Sequence, residues 1–373
     1  MKFSCEKALL QSMINITSRT VAVKSSIPAL EGILVEAGEQ LRLTGYNQKT
    51  GIRGVLSADI REPGSIVVSA RLFGEIVRRL PDDMVTVETN GYNIHITCGM
   101  SDFHILGTDG EDFPDLPTVE YQNTILLPQR TMQQMINQTI FAVSTNESRP
   151  IHTGTLFELD EEGVLTMVSV DGFRLALRRE KTDRLPKKDP FSFVVPAAAL
   201  SEVSKICGDT DEPVEIVQGM KFIMFKMGDI MLISRRLEGE FLNYRQAIPR
   251  DNPICLTAER RKLIASIDRC SLIISEQQKS PLRCTFGDNQ LEIRTTTAVG
   301  SAYDSCPIVG DGGGLEIGFN NKYLLDALKA APADFLRVEL SRPTSPCILL
   351  PEKEEAEHDF LYMVLPVRLS GRN

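Results

Sequence analysis

The sequence lacks the short motifs that mark many enzyme active sites. It contains no G-x-x-x-x-G-K-[ST] or G-x-G-x-x-G for phosphate binding, no zinc-binding H-E-x-x-H and no G-x-S-x-G around a nucleophilic serine. The glycine-rich residues 310–314 are not followed by Lys-Ser or Lys-Thr, so we interpret them as a flexible loop. These absences predict a protein that is not an enzyme and needs no cofactor.

Histidine is scarce, with four residues in 373, and metal-ligand patterns are correspondingly poor. The nearest approach to a ligand set is His95, Cys98 and His104. These residues lie on a predicted hairpin whose side chains alternate between two faces, and no fourth ligand has a clear spacing. We therefore interpret them as ordinary strand residues and expect no metal site.

Long apolar runs are also absent. No segment approaches the roughly 18 residues that a membrane-spanning helix needs, and the N-terminal MKFSCEKALL is too short and too charged for a secretory signal. The eight cysteines form no C-x-x-C pair and no disulfide-framework spacing, so we expect reduced thiols in hydrophobic cores. Together these features favour a cytoplasmic protein.

What the sequence does contain is a threefold repeat. The helix-like segment QSMIN (11–15) returns as QQMIN (133–137) and, more distantly, as RKLIA (261–265), at offsets of 122 and 128 residues. A second predicted helix follows an apolar strand in each copy. Two positions on one face of that helix are apolar in all three copies, namely Phe73 and Ile76, Leu200 and Val203, and Leu324 and Ala327.

The repeat period matches the size of a domain, so the sequence predicts three tandem copies of one α+β fold. Each copy is expected to run helix, strands, helix, strands. The predicted helices are residues 6–21, 69–80, 131–143, 197–207, 258–274 and 321–331. A hairpin over 84–106 is predicted to turn at Asn90-Gly91. Proline-rich linkers at 112–117 and 248–253 give the predicted domains 1–122, 123–251 and 252–373.

Charge is distributed unevenly between the helices and the rest of the chain. Six stretches around the predicted helices (6–24, 69–80, 128–149, 196–207, 257–279 and 320–329) hold 16 Lys and Arg against 8 Asp and Glu. The whole chain nets −9, so the remainder carries −17. Basic residues on any one helix are often only a solvated face. If all six helices share one side of the assembly, that side becomes a basic surface suited to phosphates.

Several phrases resemble the bacterial DNA polymerase III beta subunit family, the sliding clamps. They are VSVDGFRLA (168–176), FLNY (241–244), IGFNNKYLLD (317–326) and the closing YMVLPVRL (362–369), with LEGIL (30–34) and LTG (43–45) near the start. The resemblance covers essentially the whole chain in order. It implies three DNA-clamp domains, with helices lining the inside and antiparallel sheets outside, in a head-to-tail dimeric ring around duplex DNA.

The resemblance also implies an interface and a DNA-facing lining. Phe103 and Ile105 match the first-domain edge of the dimer interface, and Ile273 and Ile274 match the third-domain face that meets it. Residues 295–302, the expected facing edge, are nearly uncharged, although acidic residues are common there in the family. The residues that match positions on or beside the inner face are Lys24, Arg71, Arg78, Asn146, Arg149 and Lys205.

The resemblance finally implies a partner-peptide pocket between the second and third domains. In the family this cleft takes a short motif, a Gln followed by Leu and Phe-like residues, from the replicative polymerase alpha subunit, the clamp loader, other polymerases and repair proteins. The matching residues are Gly172, Phe173, Arg174, Leu175, Leu242, Ala247, Asn320, Tyr323, Thr344, Pro346, Met363, Val364, Leu365, Pro366, Val367 and Arg368. Phe173 replaces a polar ring common in relatives, and residues 370–373 extend past the usual end.

Two other interpretations stay open from the sequence. A metal-dependent DNA enzyme could share the basic helices, although no acidic metal-binding constellation is evident. A monomeric DNA-binding scaffold of three repeats would share the domains without forming a ring. The mass in solution separates this second interpretation from a dimeric clamp.

Overall fold

We describe the protein from a computed structural model, which describes residues 1–182, 190–275, 280–352 and 359–369. The first third of the chain holds two α-helices, α1 (Lys7–Thr17) and α2 (Ala70–Arg79). Its strands are β1 (Lys2–Glu6), β2 (Gly32–Ala37), β3 (Leu41–Tyr46), β4 (Thr50–Leu56), β5 (Asp59–Glu62), β6 (Gly64–Ser69), β7 (Met84–Asn90), β8 (Asn93–Cys98), β9 (Ser101–Leu106) and β10 (Thr108–Asp109).

The remaining elements repeat this order. The second set is β11 (Asn123–Pro128), α3 (Gln129–Thr139), β12 (Gly154–Leu159), β13 (Val164–Val170), β14 (Arg174–Lys181), β15 (Phe191–Pro196), α4 (Ala197–Ile206), β16 (Pro213–Gln218), β17 (Phe222–Met227) and β18 (Ile230–Arg235). The third is α5 (Tyr244–Ala247), β19 (Ile254–Glu259), α6 (Arg260–Ser271), β20 (Leu282–Thr297), β21 (Gly300–Phe319), α7 (Asn321–Ala330), β22 (Phe335–Leu340), β23 (Cys347–Pro351) and β24 (Phe360–Val364).

The chain divides into two compact units, and the division falls within α3 and α4. The first unit comprises residues 1–133 and 201–236. It contains a five-stranded antiparallel sheet in the order β5-β1-β7-β8-β9 and a nine-stranded sheet in the order β10-β6-β2-β3-β4-β18-β17-β16-β11. The core under α1 and α2 is built from both sheets and includes Phe3, Leu10, Phe73 and Ile96.

The second unit comprises residues 134–200 and 237–373. It contains a ten-stranded sheet in the order β15-β12-β13-β14-β24-β23-β22-β19-β21-β20. Helices α6 and α7 contribute Leu263, Ile267, Leu324 and Leu328 to its largest hydrophobic core. Among the described residues of the chain, no helix is long and apolar enough to cross a membrane.

The second helix of each repeat forms as its sequence pattern predicts. Ser69 precedes α2, and its hydroxyl accepts a hydrogen bond from the backbone N–H of Leu72 at 3.4 Å, while Asn320 caps α7 in the same way. The six predicted apolar positions are all buried, with exposed fractions between 0% and 7%. The shared helical face is therefore the face that packs on the sheets.

Four sequence expectations need correction. Residues 310–314 are not a flexible loop but part of the long strand β21, where Asp311 pairs with Asp288. A Cβ atom at position 312 would lie 2.4 Å from the Cβ of Phe286, so glycine is required at that position.

The hairpin predicted over 84–106 contains three strands, because a second turn follows Cys98. The helix predicted to reach residue 274 ends at Ser271, and Cys255 is exposed while the other seven thiols are buried.

Candidate functional site

A buried polar cluster in the second unit surrounds Arg174, the first residue of β14. Its Nε lies 2.9 Å from Asp171 Oδ2, and its Nη1 lies 2.6 Å from Asp326 Oδ2 on α7. The guanidinium also stacks over the ring of Tyr323, at 4.6 Å from the ring centre. The Arg174 side chain is only 9% exposed, so these contacts compensate for burying its charge.

The turn before β14 projects an aromatic ring beside this cluster. Asp171 accepts hydrogen bonds from the backbone N–H groups of Phe173 and Arg174, and Gly172 has a φ of 88°, which favours glycine. Phe173 is 58% exposed and stacks on Tyr323, with ring centres 5.9 Å apart. Phe173, exposed and stacked on the half-buried Tyr323 that Arg174 supports, forms a rigid apolar platform for a ligand.

The platform lies at the edge of a cleft of about 1110 Å³ within the second unit, which we call the Arg174 cleft. Seven of the predicted pocket residues line it. They are Gly172, Phe173, Arg174, Leu242, Asn320, Tyr323 and Val367. More than half of the lining residues are polar, including Ser144, Asn146, Arg149 and His152. The cleft combines apolar anchor positions with hydrogen-bonding groups, as peptide-binding grooves do.

The segment after β24 runs along one wall of this region. The backbone N–H of Leu365 donates to the carbonyl oxygen of Phe173 at 2.8 Å. Two residues on, the N–H of Val367 donates to the carbonyl oxygen of Gly318, also at 2.8 Å. Leu365 is half-buried against the cluster that contains Leu175 and Met363. The closing sequence is thus held to the wall by backbone hydrogen bonds.

The other predicted pocket residues occupy three environments. Leu175, Met363 and Val364 are buried in cores, with exposed fractions of 0%, 6% and 0%, and so support the wall from behind. Pro346, Leu365 and Pro366 are half-buried, while Ala247, Thr344 and Arg368 are exposed. These nine do not line the Arg174 cleft itself. Residues 370–373, the predicted extension, lie outside the described residues.

His152 is a cleft residue that the sequence patterns missed. Its ring meets the ring of Phe241 edge-on at 5.5 Å between centres. Burial, and then the nearby charge of Arg149, lower the pKa of the His152 imidazole below its ordinary value. Only the fold brings His152 to the cleft, since its sequence neighbours carry no motif.

The strand edges predicted to form an interface are also defined. β9 is the last strand of the five-stranded sheet and pairs only with β8 among the described residues. Phe103 is 38% exposed, and Ile105 is half-buried against the core of the first unit. In β21, the described pairings of Gly300 to Ser305 are all with β20. Ile273 and Ile274 are half-buried just after α6, and Ile274 packs against the core of the second unit.

All six predicted DNA-facing residues are exposed, but they do not all lie on α-helices. Arg71 and Arg78 lie on α2 and Lys205 on α4, whereas Lys24, Asn146 and Arg149 lie in connections. Two of the cations have acidic partners on their own helix. Arg78 lies 2.8 Å from Glu75, and Lys205 lies 2.7 Å from Glu202. Such exposed pairs are weak and can exchange for a phosphate.

Comparison with known proteins gives one consistent match. Models of the N-terminal, central and C-terminal domains of the DNA polymerase III beta subunit match residues 1–117, 126–243 and 245–368. A beta sliding clamp of Staphylococcus aureus is 31% identical, over 99% of both chains.

Solved structures match over the same length. A putative DNA polymerase III beta subunit of Eubacterium rectale is 34% identical, with a TM-score of 0.92, over 99% of this chain and 100% of that one. The DNA polymerase sliding clamp of Bacillus subtilis is 31% identical, with a TM-score of 0.93 and the same coverage.

Proposed function

The chain belongs to the bacterial DNA polymerase III beta subunit family, the DNA sliding clamps, and on this premise we propose that two copies close head to tail into a ring around duplex DNA. It consists of three tandem clamp domains and serves as a non-catalytic processivity factor of the replicative polymerase. We place the domains at residues 1–122, 123–251 and 252–373, and the protein in the cytoplasm.

The main support for the ring is that strands pair in the same register at two junctions inside the chain. In the first unit, β18 pairs with β4 so that Leu232 lies opposite Ile52. In the second unit, β24 pairs with β14 so that Tyr362 lies opposite Ala176. All four residues have an exposed fraction of 0%. The strand pairing at each junction therefore buries the side chains of both opposed residues.

The strands β4 and β14 hold equivalent positions in their own hairpins. Ile52, opposite Leu232, and Ala176, opposite Tyr362, each pair within their hairpin with a residue seven positions earlier. A third hairpin, in the second unit, contains a pair with the same spacing. The three pairs are Gly45 with Ile52, Ser169 with Ala176, and Thr295 with Ala302. Ala302 is therefore the third member of the set that contains Ile52 and Ala176.

The same comparison identifies the matching strand of the first repeat. Leu232 pairs with Phe225 across the β17–β18 hairpin, and Phe103 pairs with Ile96 across the β8–β9 hairpin. Phe103 is thus equivalent to Leu232. Extending the shared register to a second chain places Phe103 opposite Ala302 and His104 opposite Ser301. A head-to-tail contact that repeats two internal junctions would close the ring.

The proposed ring holds DNA without reading its sequence. Lys24, Arg71, Arg78, Asn146, Arg149 and Lys205 are proposed to face the duplex, where the cations contact phosphates. Phosphate contacts are largely independent of sequence and are screened by salt, whereas each bidentate base contact contributes about 1 to 3 kcal/mol and would stop sliding. Retention then comes from the closed ring and not from tight binding.

The Arg174 cleft and the segment after β24 are proposed to bind partner proteins. The proposed pocket comprises the sixteen residues named from the sequence. Those at the surface would accept a Gln-Leu-x-Leu-Phe-like peptide, with apolar anchors near Leu365 and a polar end near Asn320, while the buried ones would support them from the core. The partners are the replicative polymerase alpha subunit, the clamp loader, and other polymerases and repair proteins that carry such a motif. We expect an affinity near micromolar, or about −8 kcal/mol, because partners must exchange.

Retention on DNA of different topology tests the proposed function. The protein is loaded with a clamp loader and ATP onto a nicked circular plasmid, and free protein is removed by gel filtration. We expect it to stay with the circle at moderate salt and to leave after one cut linearises the plasmid. Equal retention on linear DNA would support a DNA-binding scaffold instead, and degradation of the plasmid by pure protein would support a DNA enzyme.

A further inference from the structure

Three possible metal ligands meet on the outer face of the β8–β9 hairpin. His95 and His104 are direct register partners across the two strands, and their rings stack with centres 4.3 Å apart. Asp102 Oδ1 lies 3.0 Å from His95 Nε2 and 3.2 Å from His104 Nε2. The three ligand atoms all lie within 4.8 Å of one another.

The alternation of side chains along the two strands explains this grouping. It also shows that the set considered from the sequence, His95, Cys98 and His104, does not share one face. Cys98 points to the buried face, with an exposed fraction of 2%, and cannot join the histidines. Asp102 and His104 are two residues apart on β9 and so share a face, which is also the face of His95. The side-chain exposures of His95, Asp102 and His104 are 37%, 58% and 70%, so an ion can reach them from solvent.

We propose that His95, Asp102 and His104 bind a divalent transition-metal ion of the zinc class. Zinc bonds to imidazole nitrogen at about 2.0 to 2.1 Å, so neighbouring ligand atoms of a tetrahedral site lie roughly 3.3 Å apart. The distances from Asp102 to the two histidines are close to that separation. Two imidazoles and one carboxylate suit zinc, cobalt or nickel, whereas magnesium and calcium prefer oxygen ligands alone. Water would fill the fourth position.

The stacked rings set one requirement for binding. Parallel rings direct their nitrogen lone pairs along similar directions, so at least one ring must turn to converge on the ion. Both rings are exposed enough to turn. The opposing interpretation is that the carboxylate only accepts hydrogen bonds from two histidines. That arrangement holds the same three residues together without a metal.

All three ligands belong to one chain, so the site is complete without a second copy, although His104 also lies on the strand proposed to meet Ser301 of the second chain. It is tested on tag-free protein that carries Cys255→Ser, because Cys255 is the exposed thiol and would bind zinc by itself. Calorimetric titration with zinc chloride measures stoichiometry and affinity. Titration with cobalt(II) reports the ligand type through its visible absorption.

We expect one zinc ion per chain and a cobalt spectrum with d–d bands but no thiolate charge-transfer band. Asp102→Asn and His104→Ala should each weaken zinc binding by at least about tenfold, since even outer-shell substitutions cost that much. His152→Ala, a histidine outside the hairpin, should leave it unchanged. Circular dichroism with EDTA confirms folding of each variant, and sedimentation separately reports ring closure.

Two results would overturn the site. The first is no zinc binding by the folded Cys255→Ser protein, which would leave the hydrogen-bonded group as the correct description. The second is unchanged zinc affinity in the double variant His95→Ala with His104→Ala, which would place any bound ion elsewhere.

Discussion

Phe103 and Leu232 hold the same position on equivalent strands, but only Leu232 is covered. Leu232 has an exposed fraction of 0% because β18 pairs with β4 over it, whereas Phe103, on the last strand of its sheet, is 38% exposed. This difference in exposure corresponds to the Phe103 surface that the second chain of the proposed ring would bury. It also identifies the residue whose substitution should separate a ring from a monomer.

The first prediction concerns Phe103→Asp. A carboxylate at the proposed interface would lose apolar burial and leave a charge facing Ala302, so the dimer should weaken by roughly 2 kcal/mol or more, about thirtyfold in dissociation constant. Sedimentation equilibrium measures this constant. Met220→Asp is the matched control, because Met220 is 61% exposed in the turn between β16 and β17, which lies outside the proposed register. A dimer equally stable in Phe103→Asp would contradict the interface.

A second prediction concerns DNA. Charge reversal to Glu at Lys24, Arg71, Arg149 and Lys205 together should reduce loading on nicked circular DNA and retention there, because phosphate contacts are replaced by repulsion. Each single reversal should have a small effect, as the contacts are individually weak. Folding and dimerisation should not change. The matched control reverses four exposed cations on strands and turns, Arg42, Arg61, Lys221 and Lys226. Normal loading of the first variant would show that the lining is wrongly placed.

The third prediction concerns the peptide pocket. Leu365→Ala with Pro366→Ala should raise the dissociation constant of a Gln-Leu-x-Leu-Phe peptide at least about tenfold, or 1.4 kcal/mol, by removing apolar wall atoms while keeping the backbone. Isothermal calorimetry provides the constant. Leu272→Ala, at a residue 85% exposed away from the Arg174 cleft lining, is the control. Undiminished binding by the double variant would exclude this segment as part of the partner site.

Arg174→Ala gives a fourth prediction, on stability. The substitution leaves Asp171 and Asp326 without their cation and removes the support under Tyr323. We expect a loss of roughly 2 to 4 kcal/mol in the free energy of unfolding, since Asp326 keeps some solvent contact. Urea unfolding measures this loss. Arg179→Ala is the control, because Arg179 is 45% exposed in its ion pair with Asp359. Equal stability of the two variants would show that the Arg174 cluster is not structural.

The helices and the repeat were predictable because the apolar positions recur at helical spacing in every copy. Phe73, Leu200 and Leu324 are core residues, as their shared position predicts. The residues at which helices and strands begin and end were harder to predict from the sequence. The glycines at 310–314 indicate a loop locally, yet pairing with β20 holds them in a strand, which is a tertiary effect.

The arrangement of the candidate site was predictable only in part. Family phrases located the residues around Phe173 and Tyr323, but not Asp326 as the second partner of Arg174, since the two lie 152 residues apart. The sequence also did not predict that Asp102 lies beside His95 and His104, because Cys98 was the residue considered as the third ligand. Strand register, which no local pattern specifies, decides which side chains share a face.

Disulfide trapping of the proposed register tests the ring most directly. The chain carries His104→Cys with Ser301→Cys in the Cys255→Ser background, and a register control carries His104→Cys with Ala302→Cys. Directly opposite residues suit disulfide geometry, whereas Ala302 points to the other face. After mild oxidation, we predict a covalent dimer on a denaturing gel for the first protein and a monomer for the control. A monomer in both, or equal cross-linking in both, would contradict the head-to-tail ring.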